Sequence, residues 1–502
     1  PLYSSAASDV YKRQVVVNAG TSLSDNSSDL LGYGGPIRDT GVPNVFNVFD
    51  LDNAKKRATQ EGSEEMTQSI FASAEIGWKS MLYLTLTGRN DWASQLKGSN
   101  PTSFFYPSVG LSAVISEMVT LPKAIDYLKV RGSFSSVGTP YPRFLVQPTY
   151  SYDPTKQDWN AKTHYPIGKL KPERTDSWEI GVDGTFFKDF KVSGSFYYAN
   201  TYNQTFDPKI TVSSGYSTLY VQTGYVRNLG VEGLLSYGHT WRDFGWNSNF
   251  TFSWNKNKIV ELVKDYVHPE TGEIVNKDRL ELKGLGYTKF ILKEGGALGD
   301  LYTNADFIRD DKGYIQIDKN GDVAKTDNLP DIKLGSVFPK ANLAWNNSFS
   351  YKGIYAGFQL SARLGGIVYS ATQAALDQYG VSEASAAARD RGGVLVNGRS
   401  WVNAQQYYEI VATSSGLPQY YTYSATNLRL QEAHIGYTIP RKWLGNICDI
   451  NVSVVGRNLW MIYCKAPFDP EAIATTNNFY QGIDYFMMPS TRNFGFNVKI
   501  NF

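Results

Sequence analysis

The chain has 502 residues, of which 42% are hydrophobic and 19% charged, a composition that supports a folded core and argues against disorder. Its 49 Lys and Arg residues nearly balance 47 Asp and Glu residues without clustering, so the sequence carries no electrostatic footprint for nucleic acid. The 34 Tyr, 26 Phe and 11 Trp residues, beside 45 Gly, favour extended strands over an all-α fold.

No apolar run reaches the roughly 18 to 20 residues that a membrane-spanning helix needs, which excludes a helical membrane protein. A β-barrel is not excluded, because barrel strands alternate between apolar and polar residues and their average hydropathy is low. The mean hydropathy of this chain is -0.33. No linker or compositional break divides the chain, so we expect one continuous architecture.

The first 66 residues give little structural signal. Residues 1–14 contain SAASDVYKRQ and resemble translated adapter sequence at the ends of assembled contigs, so we interpret them as a sequence artefact. The chain begins at Pro1 with no readable signal peptide, which is expected of a processed chain or a fragment. We predict that residues 15–66 form an extracellular loop before the first strand.

A period of two dominates the remainder, and it is clearest between Trp178 and Phe186. Trp178, Ile180 and Val182 share one face of an extended chain. Glu179 and Asp183 share the other face. Strands with one apolar and one polar face are therefore predicted.

About thirteen segments of this kind recur along the chain. They run roughly 10 to 17 residues, whereas soluble strands average about 5 to 6 and tilted membrane strands need about 9 to 11. The segments lie near 67–78, 81–92, 104–117, 125–137, 173–187, 190–205, 224–240, 244–256, 338–351, 354–367, 424–439, 448–462 and 489–502. Their length favours an antiparallel transmembrane β-barrel.

Short and long connections alternate between these segments. The short turns at 78–80, 187–189, 241–243 and 351–353 each combine an aromatic residue with Lys or Arg. The long connections lie at about 138–172, 206–223, 257–337, 368–423 and 463–488. Outer-membrane barrels have short periplasmic turns and long external loops, so we predict a periplasmic C-terminus. Thirteen strands would then begin outside the cell and imply an odd number of strands upstream.

The sequence contains no catalytic constellation. Its four His residues are scattered, and no zinc-protease, nucleophile-elbow or phosphate-loop motif is present. Polar residues such as Glu179 and Asp183 are expected on the inner face of any barrel. Asp318 to Asp322 has calcium-loop spacing, but the twelfth position is Leu329, which cannot close such a site, and a surface turn is favoured. We predict a protein that is not an enzyme, with no metal and no cofactor.

Several motifs together carry a family resemblance that runs from about residue 67 to the end. They are GRNDWAS (88–94), FYPSVGLS (105–112), LKPERTDSWEIGVD (170–183), VRNLGVEGLLSY (226–237), VVGRNLWMIY (454–463), FDPEA (468–472) and GIDYFMMPSTRNFGFNVKINF (482–502). In this order they resemble the SusC/RagA-type TonB-dependent outer-membrane transporters of Bacteroidetes. The final segment also resembles a barrel-assembly C-terminal signal, formed by Phe494, Phe496, Val498, Ile500 and Phe502.

The resemblance implies about 13 strands of a 22-stranded barrel in the outer-membrane lipid, with the plug and the early strands missing from this chain. It also implies a SusD-like surface lipoprotein as partner and energy from the TonB complex. The expected function is nutrient import, with glycan oligosaccharides as cargo. The alternatives are a peptide importer of the same family, a non-energised outer-membrane adhesin or receptor, and a large soluble β-protein, against which strand length and loop alternation argue.

Aromatic residues in the long loops are candidate contacts with cargo or partner, because an aromatic body with a polar tip suits amphipathic ligands. Packing of the loops is the competing explanation for each of them. The candidates are Tyr141, Tyr150, Tyr152, Trp159, Trp401, Tyr407, Tyr408, Tyr420 and Tyr421. The Ala-rich stretch from Ala371 to Ala388 further indicates a short external helix.

Overall fold

A computed structural model describes most of the chain. The described residues are 13–39, 47–98, 102–140, 145, 151–153, 158–160, 171–206, 221–222, 224–267, 272, 274–475 and 481–501. Phe502, the last member of the predicted C-terminal signal, lies outside them.

The described residues contain one large antiparallel sheet of fourteen strands. Its strands are β1 (Arg13–Gly34), β2 (Arg57–Trp78), β3 (Leu82–Ala93), β4 (Phe104–Val114), β5 (Ile125–Thr139), β6 (Glu173–Phe186), β7 (Phe190–Tyr202), β8 (Tyr225–Trp241), β9 (Phe244–Glu261), β10 (Ala341–Tyr351), β11 (Ile354–Leu364), β12 (Asn427–Ile439), β13 (Asp449–Cys464) and β14 (Asn493–Asn501). Each strand pairs with the next along the chain, and β1 and β14 are the two edges of an open sheet.

The thirteen predicted segments correspond to β2 through β14, and the predicted all-β class and antiparallel barrel-type sheet are confirmed. The segment expected at 173–187, for example, is strand Glu173–Phe186. Its apolar residues pair with apolar residues of β7, as Ile180 does with Phe196. One apolar face fixes the register, because a slip of one residue would move every side chain to the opposite face.

The prediction for the first 66 residues is wrong in one respect. Residues 13–34 form β1, which pairs with β2 over its whole length from Arg13 with Trp78 to Gly34 with Arg57, so only 35–56 connect two strands. The signal was missed because β1 alternates only near its start and is then Ser-, Asn- and Asp-rich on both faces. Among the described residues the large sheet has fourteen strands, so the inference of an odd number of upstream strands has no basis.

The predicted short turns are tight hairpins. Lys352 and Gly353 both have positive φ, at 48° and 88°, and they alone join β10 to β11. Lys79 and Ser80 between β2 and β3 show the same pair of left-handed residues. This backbone geometry matches the right-handed twist of the flanking strands and therefore favours two adjacent antiparallel strands.

The apolar face of the sheet is exposed. Trp178 is 59% exposed and Ile180 61%, although both are large apolar side chains in the middle of paired strands. Ile435 on β12 is 60% exposed on the same face. In water such a continuous apolar surface would be strongly unfavourable, so this face indicates contact with hydrocarbon.

The four described residues of the C-terminal motif lie on β14 as the alternation predicts. Phe494, Phe496, Val498 and Ile500 are all exposed on one face of that edge strand. Asn501 pairs with Asp449, so β14 ends on the same side of the sheet as the short turns. An aromatic cluster lies on this side, where the Trp241 and Phe244 rings stack 5.9 Å apart.

The described parts of the long connections lie at the opposite end of the sheet, and three of these connections share one hydrophobic core. They contain a four-stranded sheet (Arg279–Lys283, Lys289–Lys293, Asp300–Thr303, Ile332–Ser336), a three-stranded sheet (Ile367–Ser370, Thr422–Ser424, Ile483–Asp484) and paired strands at Ser151–Asp153 with Asp158–Asn160, Thr205–Phe206 with Val221–Gln222, Val263–Val267 with Ile274–Lys277, Asp306–Phe307 with Lys325–Thr326, and Val394–Val396 with Ser400–Val402. We call the described residues within 262–340, 365–426 and 465–492 together the loop assembly. Its core includes Phe290, Tyr421 and Ile483, one from each of the three connections.

Helices in the described part of the chain are few and short. They are α1 (Ile115–Met118), α2 (Ala371–Gln378), α3 (Glu383–Asp390) and α4 (Ala404–Val411), with 3-10 turns at Val48–Asp50, Ser94–Leu96, Pro418–Tyr421 and Arg441–Trp443. The Ala-rich stretch forms two helices, because Gly380 takes a left-handed φ of 69° and the Ser382 hydroxyl caps α3 by accepting a bond from the Ser385 N–H. Among the described helices, none is long and apolar enough to cross a membrane.

Adjacent residues on β9 allow a direct test of the two faces. Phe250 belongs to the exposed apolar face and Thr251 to the polar face. We expect Phe250→Arg to destabilise the membrane-inserted protein by about 2 to 4 kcal/mol, because a lipid-facing cation at mid-membrane costs that much. Urea unfolding of the full reading frame in lipid vesicles measures this. Thr251→Arg is the matched control with little expected effect, and equal losses for both variants would contradict the assignment of faces.

Candidate functional site

The polar face carries an ion-pair network across β5, β6 and β7. The Arg131 guanidinium donates to Glu179 through Nη1 at 2.9 Å and lies 3.5 Å from Asp183 through Nε. Ser193 Oγ donates to Asp183 Oδ1 at 2.6 Å. Both carboxylates thus have partners within the sheet. Their arrangement is that of a structural network on a polar wall, and it offers no free acid and base pair for catalysis.

Beyond β8, the polar face is uncharged from Gly245 to Asn257 of β9 and along the whole of β10. The register of β9 and β10 places amide, hydroxyl and small side chains side by side, as in the direct pair Asn249 with Asn346. The residues that face this way are Gly245, Asn247, Asn249, Thr251, Ser253, Asn255 and Asn257 of β9 and Asn342, Ala344, Asn346, Ser348 and Ser350 of β10. This surface can exchange hydrogen bonds with polar groups without fixing a charge.

A cavity lies on the polar face where β6 to β9 meet the loop assembly. Its volume is ≈ 340 Å³, within the range of about 300 to 1,000 Å³ typical of small-molecule sites. We call it the amide pocket. Its lining consists of the polar residues Glu173, Thr201, Gln204, Asn228, Asn255, Asn257 and Gln481 and the apolar residues Val226, Leu298 and Phe338. Sequence analysis missed it, because the strands and the loop residues that form it are far apart in the chain.

Four of the nine candidate aromatics come together in the loop assembly. Tyr407 and Tyr408 on α4 form an edge-to-face pair at 5.4 Å. Tyr407 and Tyr420 each contact Phe307, at 6.3 and 5.3 Å between ring centroids. Burial raises the pKa of Tyr407 to about 12. These contacts favour the packing explanation for Tyr407.

Tyr421 is a core residue. Its side chain is buried, and its hydroxyl donates to Asp377 Oδ2 at 2.9 Å, while Asp377 Oδ1 accepts from Gln373 Nε2 at 3.0 Å. Burial and the neighbouring carboxylate raise the pKa of Tyr421. A side chain that is buried with its polar tip in use has no surface left for a ligand, so Tyr421 does not stay a ligand candidate.

The structure describes only some of the remaining candidate residues. Trp401 is 57% exposed on the hairpin Val394–Val396 and Ser400–Val402, directly opposite Leu395. Trp159 is exposed and pairs along the backbone with Tyr152, whose side chain is outside the described part. Tyr141 and Tyr150 also lie outside it. Trp401, Tyr408, Tyr420 and Trp159 therefore remain predictions as contact residues.

The FDPEA motif has a role that sequence analysis did not assign. Asp469 accepts two hydrogen bonds from the Arg429 guanidinium, at 2.8 and 3.1 Å, and both side chains are buried. Glu471 lies 3.3 Å from the same guanidinium. Burial alone would raise the pKa of Asp469, but hydrogen bonds from Arg429, the Glu471 N–H and Ser490 outweigh it and lower the pKa. The motif thus attaches the last long connection to strand β12.

The turn with calcium-loop spacing has an internal explanation. Asp318 Oδ1 accepts from the N–H groups of Asn320 and Asp322, at 2.8 and 2.9 Å. A second turn nearby has the same geometry without that spacing, since Asp310 Oδ1 accepts from Lys312 and Tyr314 at 2.9 Å. Aspartate-capped turns account for both. In the described part of the chain, no group of three or more His, Cys, Asp or Glu side chains converges as a metal site would require.

Comparison with known proteins identifies related sequences and folds. The family model described as TonB dependent receptor-like, beta-barrel matches residues 3–459. The TonB-dependent receptor P3 of Formosa agariphila is 24% identical over 470 residues, covering 86% of this chain and 45% of the relative. SusC of Bacteroides thetaiotaomicron is 22% identical over 433 residues, covering 78% of this chain and 40% of the relative.

Among solved structures, the RagAB peptide importer in its open-open state superposes with a TM-score of 0.72 at 16% identity, covering 98% of this chain and 53% of that one. This similarity shows a shared fold. The chain spans less than half the length of the curated relatives it matches. For the P3 receptor the share is 45%.

The Tyr421 hydroxyl should contribute to stability, whereas that of Tyr407 should not. Tyr421→Phe leaves the buried Asp377 carboxylate without one donor, which we expect to cost about 1 to 3 kcal/mol in the free energy of unfolding. Tyr407→Phe is the matched control, because the Tyr407 hydroxyl has no hydrogen-bond partner among the described residues. Urea unfolding of both variants measures the difference. If Tyr407→Phe lowered the free energy of unfolding and Tyr421→Phe left it unchanged, the result would contradict this packing.

The buried Arg429–Asp469 pair should be stabilising at neutral pH and weaken in acid. We expect Asp469→Ala to cost about 3 kcal/mol, the lower end for breaking a buried pair, because Glu471 stays near the guanidinium. Since the folded pKa of Asp469 is below 3.8, its contribution is present above about pH 4 and is lost as pH falls through the lowered pKa.

Unfolding measured between pH 3 and pH 7 tests this prediction about Asp469. Asp311→Ala is the control, because Asp311 is exposed and has no partner among the described residues. A stability difference for Asp469→Ala that does not shrink in acid would contradict the assignment.

Proposed function

Since this chain belongs to the TonB dependent receptor-like β-barrel family, we propose that it is the barrel portion of an energised outer-membrane nutrient importer. The observation that carries the proposal is the fourteen-stranded antiparallel sheet whose apolar face is exposed and whose opposite face is polar. This is the pattern of strands that separate lipid from a water-filled lumen.

The orientation follows from the two ends of the sheet. We assign the end with the tight turns to the periplasm, together with the end of β14, and the loop assembly to the cell exterior. Outer-membrane barrels have short periplasmic turns and longer external loops. The aromatic residues at the tight-turn end fit a membrane interface, where amphipathic rings are enriched.

A SusD-like surface lipoprotein is the proposed partner and the TonB complex the proposed source of energy. Support comes from the curated relatives, which are named TonB-dependent receptors and include SusC. The exposed Trp401 and Leu395, which face outward from the loop assembly, are available for such contacts.

Glycan oligosaccharides are the proposed cargo. Their hydroxyl groups need many donors and acceptors and no fixed charge, and the uncharged surface along β9 and β10 supplies such groups. A peptide cargo is the second candidate, favoured by the structural similarity to a protein named as a peptide importer. A non-energised adhesin or receptor would bind cargo without importing it.

Uptake by living cells tests the proposed function. We expect in-frame deletion of the reading frame to abolish uptake of a fluorescent oligosaccharide, and the restored gene to need the proton-motive force. Parallel assays with fluorescent peptides and with surface binding at low temperature separate the alternatives. Peptide uptake alone would favour the peptide importer, whereas binding that never becomes uptake would favour the adhesin and overturn the import proposal.

A further inference from the structure

The amide pocket at the external end of β6 to β9 has unused hydrogen-bonding groups. We propose that it binds one uncharged, hydroxyl-bearing ring of the cargo, such as a neutral sugar unit, by its side chains alone. This inference rests on the proposed import function and deepens it, because it names the residues that recognise the cargo and the chemistry they select.

One part of the pocket wall is held in place by its own hydrogen bonds. Asn257 Nδ2 donates to Asn228 Oδ1 at 3.0 Å, and Asn257 Oδ1 accepts from the Leu298 N–H at 2.9 Å. The second bond joins strand β9 to the loop assembly. The wall is therefore already formed before a ligand arrives, which lowers the entropic cost of binding.

Other polar groups in the pocket lining have no hydrogen-bond partner in the described part of the chain. Gln204 Oε1 is buried and accepts no hydrogen bond there. Asn255, Gln481 and Glu173 likewise make no side-chain hydrogen bond among the described residues. Leaving a buried acceptor unpaired is unfavourable, because the group has given up its bonds to water. A ligand hydroxyl, which both donates and accepts, can satisfy an amide oxygen and an amide nitrogen in turn.

The charge of the pocket selects against ionic ligands. Glu173 is its one ionisable residue, and no Lys or Arg belongs to the lining. A carboxylate or sulfate on the ligand would therefore meet no cation and would be repelled by Glu173. The neighbouring cavity, which shares Asn255, Asn257 and Phe338, differs in that Lys256 and Lys340 belong to it. A charged ring would therefore favour that second cavity.

Part of the pocket lining is apolar. Phe338, Leu298 and Val226 belong to the lining beside the amide groups. The Phe338 ring is held closely, because a Cβ atom on Gly299 would lie only 3.0 Å from it. An aromatic face beside amide groups suits a ring that is apolar on its faces and polar around its edge.

A peptide fits this pocket less well than a ring. Peptides that bind sheets usually add a strand to an exposed edge and exchange backbone hydrogen bonds. Here β7, β8 and β9 are interior strands that already pair on both sides. With no free edge, and no cation for a terminal carboxylate, a peptide would have only side-chain contacts.

Glycan-array binding of the purified full reading frame tests the proposal. The probes are neutral oligosaccharides such as maltohexaose and xylohexaose, uronic-acid and sulfated oligosaccharides, and hexapeptides. We expect retention of a neutral oligosaccharide, and at least about a tenfold loss of its affinity in Asn255→Ala and in Gln204→Ala, which corresponds to one lost hydrogen bond of about 1.4 kcal/mol. Neither side chain supports the fold by a described hydrogen bond, so both variants should fold.

Asn346→Ala is the matched control, since Asn346 is an unpartnered amide on the same polar face in the middle of β10. Equal losses in all three variants, retention of acidic oligosaccharides or peptides instead, or retention of no neutral oligosaccharide would each overturn the proposal. Uptake driven by the proton-motive force, measured in the same variants, reports on import separately. If the Asn255→Ala and Gln204→Ala variants imported cargo as well as the unaltered protein, the pocket proposal alone would be refuted. Binding without any import would instead refute the proposed function.

Discussion

The need to pair every backbone N–H and C=O group in hydrocarbon governs this structure. No water is available there, so a membrane sheet must satisfy its backbone by strand pairing alone. The twelve interior strands meet this condition by pairing with their chain neighbours on both sides. Tight turns such as Lys352–Gly353 let adjacent strands pair up to their ends, because two left-handed residues are enough to reverse the chain. The two edges, β1 and β14, retain unpaired backbone groups, which makes them the positions where further strands would add.

Side chains alternate between the two faces of the paired strands, and the two faces have different chemistry. The outward side chains, such as Ile180 and Ile435, provide solubility in lipid and carry no specificity. The inward side chains are free to vary in chemistry. On β5 to β7 they form the Arg131 network with Glu179 and Asp183, whereas on β9 and β10 they are neutral amides and hydroxyls. The chemistry of the polar face can therefore vary without changing the apolar face, because successive side chains of a strand point to opposite faces.

The sequence predicted the strands that span the membrane because one face of each must be apolar. Strand β6 was located to within one residue for this reason. Strand β1 was missed because Ser, Asn and Asp occupy both of its faces and its pairing with β2 is visible only in three dimensions. The loop assembly could not be predicted either. Its core joins Phe290, Tyr421 and Ile483, and no local pattern shows that residues so distant in the chain pack together.

The candidate site shows the same limit. Loop aromatics were chosen by residue type, and the structure places Tyr421 in a core that its type alone could not distinguish from a ligand surface. The FDPEA motif was recognised as a sequence feature, but its partner Arg429 lies on a strand 40 residues earlier. The amide pocket likewise joins Gln204, Asn255 and Phe338 from three parts of the chain.

The central claim is that one face of this sheet contacts lipid and the other an aqueous lumen. The most direct test is thiol labelling along β9 in intact outer membranes, with single cysteines placed at each position from Trp246 to Trp254. The free Cys448 and Cys464 would first be replaced by Ser. The account predicts that a membrane-impermeant, water-soluble reagent labels odd-numbered positions and spares even-numbered ones. Equal labelling at both sets of positions would contradict it and indicate a sheet with water on both sides.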